Sequence, residues 1–285
     1  EIIVSDNAST DGTEALVTSI TDPRLRYVRN ATNLGMVANF RRALSESRGK
    51  YVCFLGSDDR MDPEFIAWAV EALERDPDAA FAFAGIRFIG DRQGEEKVWP
   101  FLPRRMPGPQ FIRESLQRAQ NLTYLCGSLA RTDLVKRLGL EDLIFFDWTL
   151  WLRLASHGMV LYHPQPLASY RSHAANETNL TMRRYSQHAL MLSRSIQAYV
   201  EREQPPPDLR RAANQAIDQL FSRYSRFLGH DCRYSWGAFR SDLFGFFRVP
   251  GSVLTKLKSI LMSLMIRLVE CTLSWAGYLR RAINK

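Results

Sequence analysis

Apolar and polar positions along this chain fall into two alternating kinds of run. Short stretches rich in β-branched and aromatic residues, Ile2 to Val4, Leu25 to Val28, Tyr51 to Leu55, Ala79 to Ile89 and Val160 to His163, have the pattern of strands. Between the early ones lie helical patterns: one opening near Thr13, one from Val37 to Ser47 closed by Gly49, and one from Pro63 to Glu74. The last carries Phe65, Ile66, Ala69, Val70 and Leu73 at i, i+3 and i+4 spacing, the stripe of a helix packed on one face. Strand and helix alternate three times with short connections, which predicts a doubly wound α/β unit with a mostly parallel sheet flanked by helices.

The run Tyr51 to Leu55 has no polar alternation, as expected of a strand covered on both faces, and it ends in Gly56-Ser57-Asp58-Asp59. Asp62-Pro63-Glu64 then reads as an N-cap, a proline at the first helical position and an acid in the first turn. Asp58 and Asp59 are thereby left in the turn beyond the carboxyl end of a strand, where open α/β sheets hold ligands. Two adjacent carboxylates repel each other, and a divalent cation with a phosphate relieves the repulsion; the same pair is equally readable as an exposed acidic turn. Asp6 ends the first strand in the same way and can accept hydrogen bonds from a base or ribose, or close its own loop as an Asx turn. Asp11, with Glu14 three residues on, has capping-box spacing and reads as a helix cap.

Further along, four prolines and the pair Arg104-Arg105 between Trp99 and Gln110 predict an irregular, mobile loop of functional length. Asn121 to Arg131 reads as a strand and Asp133 to Gly139 as a short helix. The segment Phe145-Phe-Asp-Trp-Thr-Leu-Trp-Leu-Arg-Leu-Ala155 places a single acid, Asp147, at the start of an otherwise apolar helix. There it is an N-cap, or a general base with restricted water access. Trp148 and Trp151 read either as core or as a platform for a sugar ring. His173, in the polar loop after the last strand, is a surface histidine or a partner for metal or phosphate.

Composition refines this picture in one respect. The net charge of +8 is uneven: residues 1–181 hold 21 basic and 23 acidic residues, residues 182–285 hold 17 and 7. The basic excess is confined to the carboxyl-terminal region, which predicts an anionic partner for that region alone. No zinc finger, RNP-type motif or basic zipper supports nucleic acid. Two helices, over 182–200 and 208–228, are followed by a helical stripe over 252–284, from Leu254 to Trp275, interrupted by Lys256, Lys258 and Arg267. That stripe predicts an amphipathic helix on a membrane interface, or one packed on the catalytic domain or a second subunit. The four cysteines, at 53, 126, 232 and 271, show no pairing or zinc spacing and fit a reducing, cytoplasmic compartment. The chain opens on Glu1-Ile-Ile-Val4 with no signal peptide, and starting inside a strand it reads as an amino-terminally incomplete piece.

Five motifs in order resemble the family 2 glycosyltransferases, inverting enzymes of GT-A fold: Asp6-Asn-Ala-Ser-Thr-Asp-Gly-Thr13, Asn33-Leu-Gly35 with Asn39, Gly49-Lys-Tyr51 leading to Ser57-Asp-Asp59, Asp147-Trp-Thr-Leu-Trp-Leu-Arg153, and Tyr170-Arg-Ser-His173. The resemblance covers about residues 1–180 as a GT-A domain and leaves 181–285 as a helical region. It implies a nucleotide-sugar donor bound by Asp6, Asn33, Gly35, Asp58 and Trp148, a divalent metal (Mn2+ or Mg2+) at Asp59 and His173, and Asp147 as the base that deprotonates the acceptor hydroxyl. The implied acceptor is a saccharide or lipid-linked molecule in cell-surface polysaccharide or glycolipid synthesis. The implied location is cytoplasmic, peripheral on the inner face of the plasma membrane. Two positions depart from the family pattern: Phe146 stands where Glu is usual, and Gly56 where a further Asp is common. A non-catalytic nucleotide-sugar-binding scaffold on the same fold is the rival reading. A nucleotidyltransferase would need a phosphate-binding Gly/Arg/Lys-rich loop, which the sequence lacks.

Overall fold

The computed structural model describes residues 1–174, 176 and 185–225. The predicted alternation is present: β1 (Ile2–Asp6), α1 (Thr13–Thr18), β2 (Leu25–Arg29), α2 (Met36–Glu46), β3 (Tyr51–Val52), β4 (Arg60–Met61) and α3 (Pro63–Arg75). Then follow β5 (Ala79–Gly90), β6 (Glu96–Lys97), β7 (Arg105–Pro107), α4 (Gly108–Gln117), β8 (Ser128–Arg131), α5 (Thr132–Leu138), α6 (Phe146–Ala155) and β9 (Met159–Ser172). Two long helices, α7 (Tyr185–Glu203) and α8 (Pro207–Ser225), close the described part.

The sheet is built around β5 and β9, which run parallel with register shifts between Ala79 and Phe81 and again between Ala84 and Ile86. β3, β8, β5, β9 and β4 lie side by side in that order, with β6 paired to β5 and β7 to β9. β1 and β2 form a separate parallel pair. The two longest ladders are therefore parallel, while the short ladders of β3, β4, β6, β7 and β8 are antiparallel. The mostly parallel sheet expected from the sequence holds for the β5–β9 spine and the β1–β2 pair, while the short strands, internal β8 included, pair antiparallel. Two- to four-residue strands can pair with whichever neighbour the loops deliver, without a crossover helix to fix their direction.

β5 (AAFAFAGIRFIG) is buried along its first eight residues, which is why it reads as a continuous apolar run. Phe81 and Phe83 meet Phe111, Trp151 and Tyr162 at centroid distances of 4.8 to 5.7 Å. Each such side chain removed from water contributes about 1.5 to 3 kcal/mol, and the aromatic pairs about 0.5 to 1.5 kcal/mol more. Arg131 ties the layers together: its guanidinium donates to Ala79 O at 2.8 Å and to Leu73 O at 2.9 Å, so it caps the carboxyl end of α3 from β8.

The tract from Trp99 to Gln110 is not the mobile loop the prolines predicted. Trp99 and Leu102 are buried, Arg105–Pro107 pairs with β9, and Pro109 starts α4 as a helix-compatible proline. The two carboxyl-terminal helices were predicted within a few residues. Ala189, Ile196 and Tyr199 of α7 and Leu209, Ala213 and Ile217 of α8 are buried in the same cluster as Trp148 and Phe81, so they share one core with the preceding residues. Among the described residues no helix is long and apolar enough to cross a membrane. The amphipathic stripe over 252–284 lies outside the described residues.

Candidate active site

Asp6, Asp58, Asp59 and His173 all lie just beyond or at the carboxyl ends of strands: Asp6 closes β1, the acidic pair follows β3, and His173 follows β9. The amino terminus of α6, with Asp147, faces the same end. The helix's carboxyl terminus is at the opposite end, where a Cβ at Gly108 would collide with Ala155 O. A cleft lined by Asp78, Pro107, Arg131, Arg137, His157 and Met159 opens at the other end of β5 and β9 and contains none of these residues.

The first loop is organised by short polar side chains. Asp6 is buried; its carboxylate accepts the Ser9 amide at 2.8 Å and the Tyr27 phenol, and Arg29 stands 3.9 Å away. Hydrogen bonds from Ser9 and then Tyr27 hold its carboxyl down at about 2. Asn7 takes the Leu34 amide at 2.8 Å and gives its own amide to Asn33 Oδ1 at 2.8 Å. Asn33 in turn accepts the Gly35 amide at 2.9 Å. Gly35 sits at φ +82°, a conformation a side chain would strain, and starts α2. Asn33 and Gly35, predicted as donor contacts, thus lie against the β1 loop. Asp11 behaves as a turn acceptor, taking the Thr13 amide at 3.0 Å, while Glu14 pairs with Arg29 instead of completing the capping box.

The strand expected over Tyr51 to Leu55 pairs only at Tyr51 and Val52, and the chain then runs irregularly to the acidic pair. Asp59 Oδ1 accepts the backbone amide of Arg171 at 2.9 Å, and Arg171 Nε donates to Asp58 O at 2.9 Å. His173 Nε2 lies 3.0 Å from Asp58 Oδ2. A Cβ built at Gly56 would meet Asp58 Oδ1 at 3.0 Å and Asp59 Oδ2 at 3.1 Å, so both carboxylates crowd one point that a larger residue would fill. Burial pushes the Asp59 carboxyl up to about 6, opposed by the Arg171 amide and reinforced by the Asp58 charge.

Among the described residues no three His, Cys, Asp or Glu side chains form a ready-made metal cage. The donors present are two hard carboxylates and an imidazole held against one of them. That set matches a Mg2+- or Mn2+-type ion whose remaining ligands come from phosphate and water, and it does not match a site complete in itself.

Asp147 occupies the first turn of α6, one residue inside the N-terminus, with Phe145 in the cap position. Asn121 Nδ2 donates to its Oδ2 at 2.8 Å. Desolvation pushes the Asp147 carboxyl up to about 6 despite the hydrogen bonds it accepts from the Trp148 amide, its own amide and Asn121. Tyr124, its ring tilted against Tyr170 at a centroid distance of 5.5 Å, feels the Asp147 charge. Trp148 corrects a sequence expectation. It is 1% exposed, with its indole N–H on Ser115 Oγ at 2.8 Å, so it is core and cannot stack on a donor. A helix buried on nearly its whole circumference leaves only its amino terminus for chemistry.

Sequence reasoning missed three contributors. Asn121 and Tyr27 lie in runs read as strands, where nothing marks them as partners of Asp147 and Asp6. Arg171, although inside the Tyr170–His173 motif, acts partly through its backbone, which leaves no trace in residue type. The only local signal at Asn121 is its two-residue spacing to Thr123, suited to an Asx turn.

This sheet, with acidic turns at its carboxyl edge and a carboxylate on a buried helix, is the GT-A glycosyltransferase fold. Residues 1–136 match the model of Glycosyl transferase family 2. The glucosyltransferase WfaP of Escherichia coli, named as acting from UDP-Glc on α-D-GlcNAc-diphosphoundecaprenol, is 25% identical over 177 residues, 62% of this chain and 67% of that protein. The structure of TarS residues 1–349 from S. aureus superposes with a TM-score of 0.63 at 15% identity, covering 86% of this chain and 69% of that one. The mannosyltransferase PcManGT of Pyrobaculum calidifontis, solved with GDP-Man and Mn2+, gives 0.55 at 17% identity, covering 95% and 77%. The chain spans about half the length of the mycobacterial relatives it matches at 27% identity, which are uncharacterized proteins.

Proposed function

We propose that this protein is an inverting, metal-dependent glycosyltransferase that moves a sugar from a nucleotide-sugar donor to a hydroxyl of a saccharide or lipid-linked acceptor in cell-surface polysaccharide or glycolipid assembly. The observation that carries this reading is Asp147: a partly desolvated carboxylate, held by Asn121, at the same end of the sheet as Asp58 and Asp59. In the ionised form it takes the proton of the attacking hydroxyl. Attack on the face opposite the leaving group inverts the anomeric centre. Asp58 receives the ribose side of the donor, and Asp59 with His173 holds the metal and diphosphate. A bound Mg2+ or Mn2+ supplies positive charge against the negative charge that grows on the departing diphosphate. Asp6, Asn33 and Gly35 shape the loop that meets the nucleotide base.

The relatives support the chemistry at two points. The complexes of TarS with UDP-GlcNAc and of PcManGT with GDP-Man and Mn2+ show nucleotide sugars on the same fold. WfaP's name gives it a lipid-diphosphate-linked acceptor, the class proposed here. Cytoplasmic placement, peripheral to the membrane through residues 252–284, rests on the basic amphipathic pattern of that segment and on the membrane-bound nature of such acceptors.

The test is turnover. Full-length protein is incubated with UDP-, GDP- and dTDP-activated sugars, Mn2+, and short saccharide or diphosphoprenyl acceptors, and released nucleoside diphosphate and product anomer are read by NMR. Release of one diphosphate with an inverted product is expected. Retention of configuration, or binding without turnover on every donor and acceptor, contradicts the proposal; the latter favours a scaffold.

A further inference from the structure

Behind Asp147 lies a closed ring of contacts that the proposed chemistry does not by itself require. Trp148, the residue after Asp147, gives its indole N–H to Ser115 Oγ at 2.8 Å. Ser115 Oγ donates to Gln120 O at 2.7 Å, and Gln120 N donates to Ser115 O at 3.1 Å. Those bonds fix the turn that leaves α4, in which Ala119 takes φ +45°, a conformation disfavoured for alanine. The next residue, Asn121, returns to Asp147 at 2.8 Å. Leu122 is held too, its carbonyl accepting the Trp99 indole N–H at 2.7 Å.

The amide of Asn121 has no freedom to turn. Its Oδ1 accepts both the Thr123 hydroxyl, at 2.8 Å, and the Thr123 backbone amide, at 3.2 Å. Thr123 is itself 2% exposed. A flipped amide would set its oxygen against a carboxylate oxygen and its NH2 against the Thr123 backbone N–H, losing at least two hydrogen bonds. Only one end of the side chain therefore faces Asp147, and it is the donor end. A donor to a carboxylate stabilises the ionised form and restrains its torsion. Of the titratable groups near it, burial pushes the Tyr124 phenol up to about 12 and the His188 imidazole on α7 down to about 4, so both are neutral near pH 7. Among the described residues, the hydrogen bonds to the Asp147 carboxylate come from Asn121 and from the backbone amides of Asp147 and Trp148.

We propose that Asn121, locked by Thr123 and by the Trp148–Ser115–Gln120 ring, is a positioning residue that holds the Asp147 carboxylate in one orientation and keeps it ionised. This deepens the reading of Asp147 as base and rests on it only where turnover is concerned. It also assigns buried Trp148 a role: fixing the distance between α4's exit and the start of α6.

The experiment is a carboxyl-13C titration of full-length protein labelled at aspartate, with the Asp147 resonance assigned by its loss in Asp147→Asn. Asn121→Ala is expected to move the Asp147 midpoint upward from about 6, and Thr123→Val to move it the same way by less. With whichever nucleotide sugar is turned over, Asn121→Ala is expected to lower kcat roughly tenfold at pH 8 through lost orientation, with KM for the donor unchanged. Its acid limb should shift in step with the carboxyl midpoint. An unmoved midpoint in Asn121→Ala overturns the proposal, and if that variant does not fold, an unmoved midpoint in Thr123→Val does so. A shifted midpoint combined with full turnover by Asp147→Asn leaves the positioning intact and overturns instead the reading of Asp147 as base.

Discussion

The backbone amide of Arg171 donates to Asp59 Oδ1 at 2.9 Å, joining the last turn of the acidic loop to a strand 112 residues further on. With the imidazole of His173 against Asp58 two residues later, β9 becomes the wall that holds the acidic pair. Because the Arg171 contact is a backbone one, side-chain substitution leaves it in place. Arg171→Ala is expected to lose the Nε bond to Asp58 O and the guanidinium charge near Asp59 and to weaken nucleotide binding severalfold, whereas Asp59→Ala is expected to abolish metal-dependent binding. Titration calorimetry of both variants separates the two effects.

Asp147 and Asp59, both held up at about 6, share the acid limb of the pH dependence, and Asp147 is the one that acts as base. Its folded midpoint, about 6, is above that of a free aspartate, so the folded protein binds this proton more tightly than the unfolded chain. The base must be ionised to act, so kcat should rise with pH through about 6 and level off above it. Stability runs the other way: the Asp147 contribution is present at about pH 4 and is lost as pH rises to 6. Asp147→Asn should therefore lower turnover by about 10² to 10⁴-fold while melting no lower than wild type at pH 8. Parallel pH–rate and thermal-melting series check both halves.

Asp6 has the opposite sign. With its carboxyl held at about 2 by Ser9 and Tyr27, its contribution to stability is complete above about pH 4 and is lost as pH falls towards 2. Removing one donor with Tyr27→Phe should lower stability at neutral pH. Urea denaturation at pH 7 reads that loss, which should shrink in the same comparison at pH 3.

Trp148→Phe tests whether this residue is core or platform. Loss of the indole and of its bond to Ser115 should lower stability by about 1 to 3 kcal/mol, from the cavity and the orphaned hydroxyl. Donor KM should not change. A large rise in KM at unchanged stability would restore the sugar-platform reading.

The strands and helices that position the site were legible because they are two-sided or one-sided apolar elements whose periodicity survives in the sequence. α3 and β5 are found within one residue of the expected bounds. The carboxylates were legible for a related reason: charges that interrupt an apolar run stand out, as at Asp58, Asp59 and Asp147. What remained hidden depends on tertiary placement. β9 runs to Ser172 because Tyr170 and Arg171 pair with Phe88 and Ile89 of β5, although the segment after His163 is broken by Pro164 and Pro166. The proline-rich tract after Trp99 is ordered by the burial of Trp99, Leu102 and Met106 under the same sheet. Trp148 was readable from the sequence as core or as a sugar platform; in a helix it points about 100° away from Asp147, here into the core.

The most direct test of the account is titration calorimetry of UDP, GDP and dTDP into the full-length protein with and without Mn2+, repeated on Asp59→Ala and Asp147→Asn. One nucleotide should bind in a metal-dependent manner, lose that binding in Asp59→Ala and keep it in Asp147→Asn, because the acidic pair holds the donor and Asp147 acts on the acceptor. Binding that ignores both metal and Asp59→Ala, or that disappears in Asp147→Asn while the protein remains folded, would contradict this division of labour.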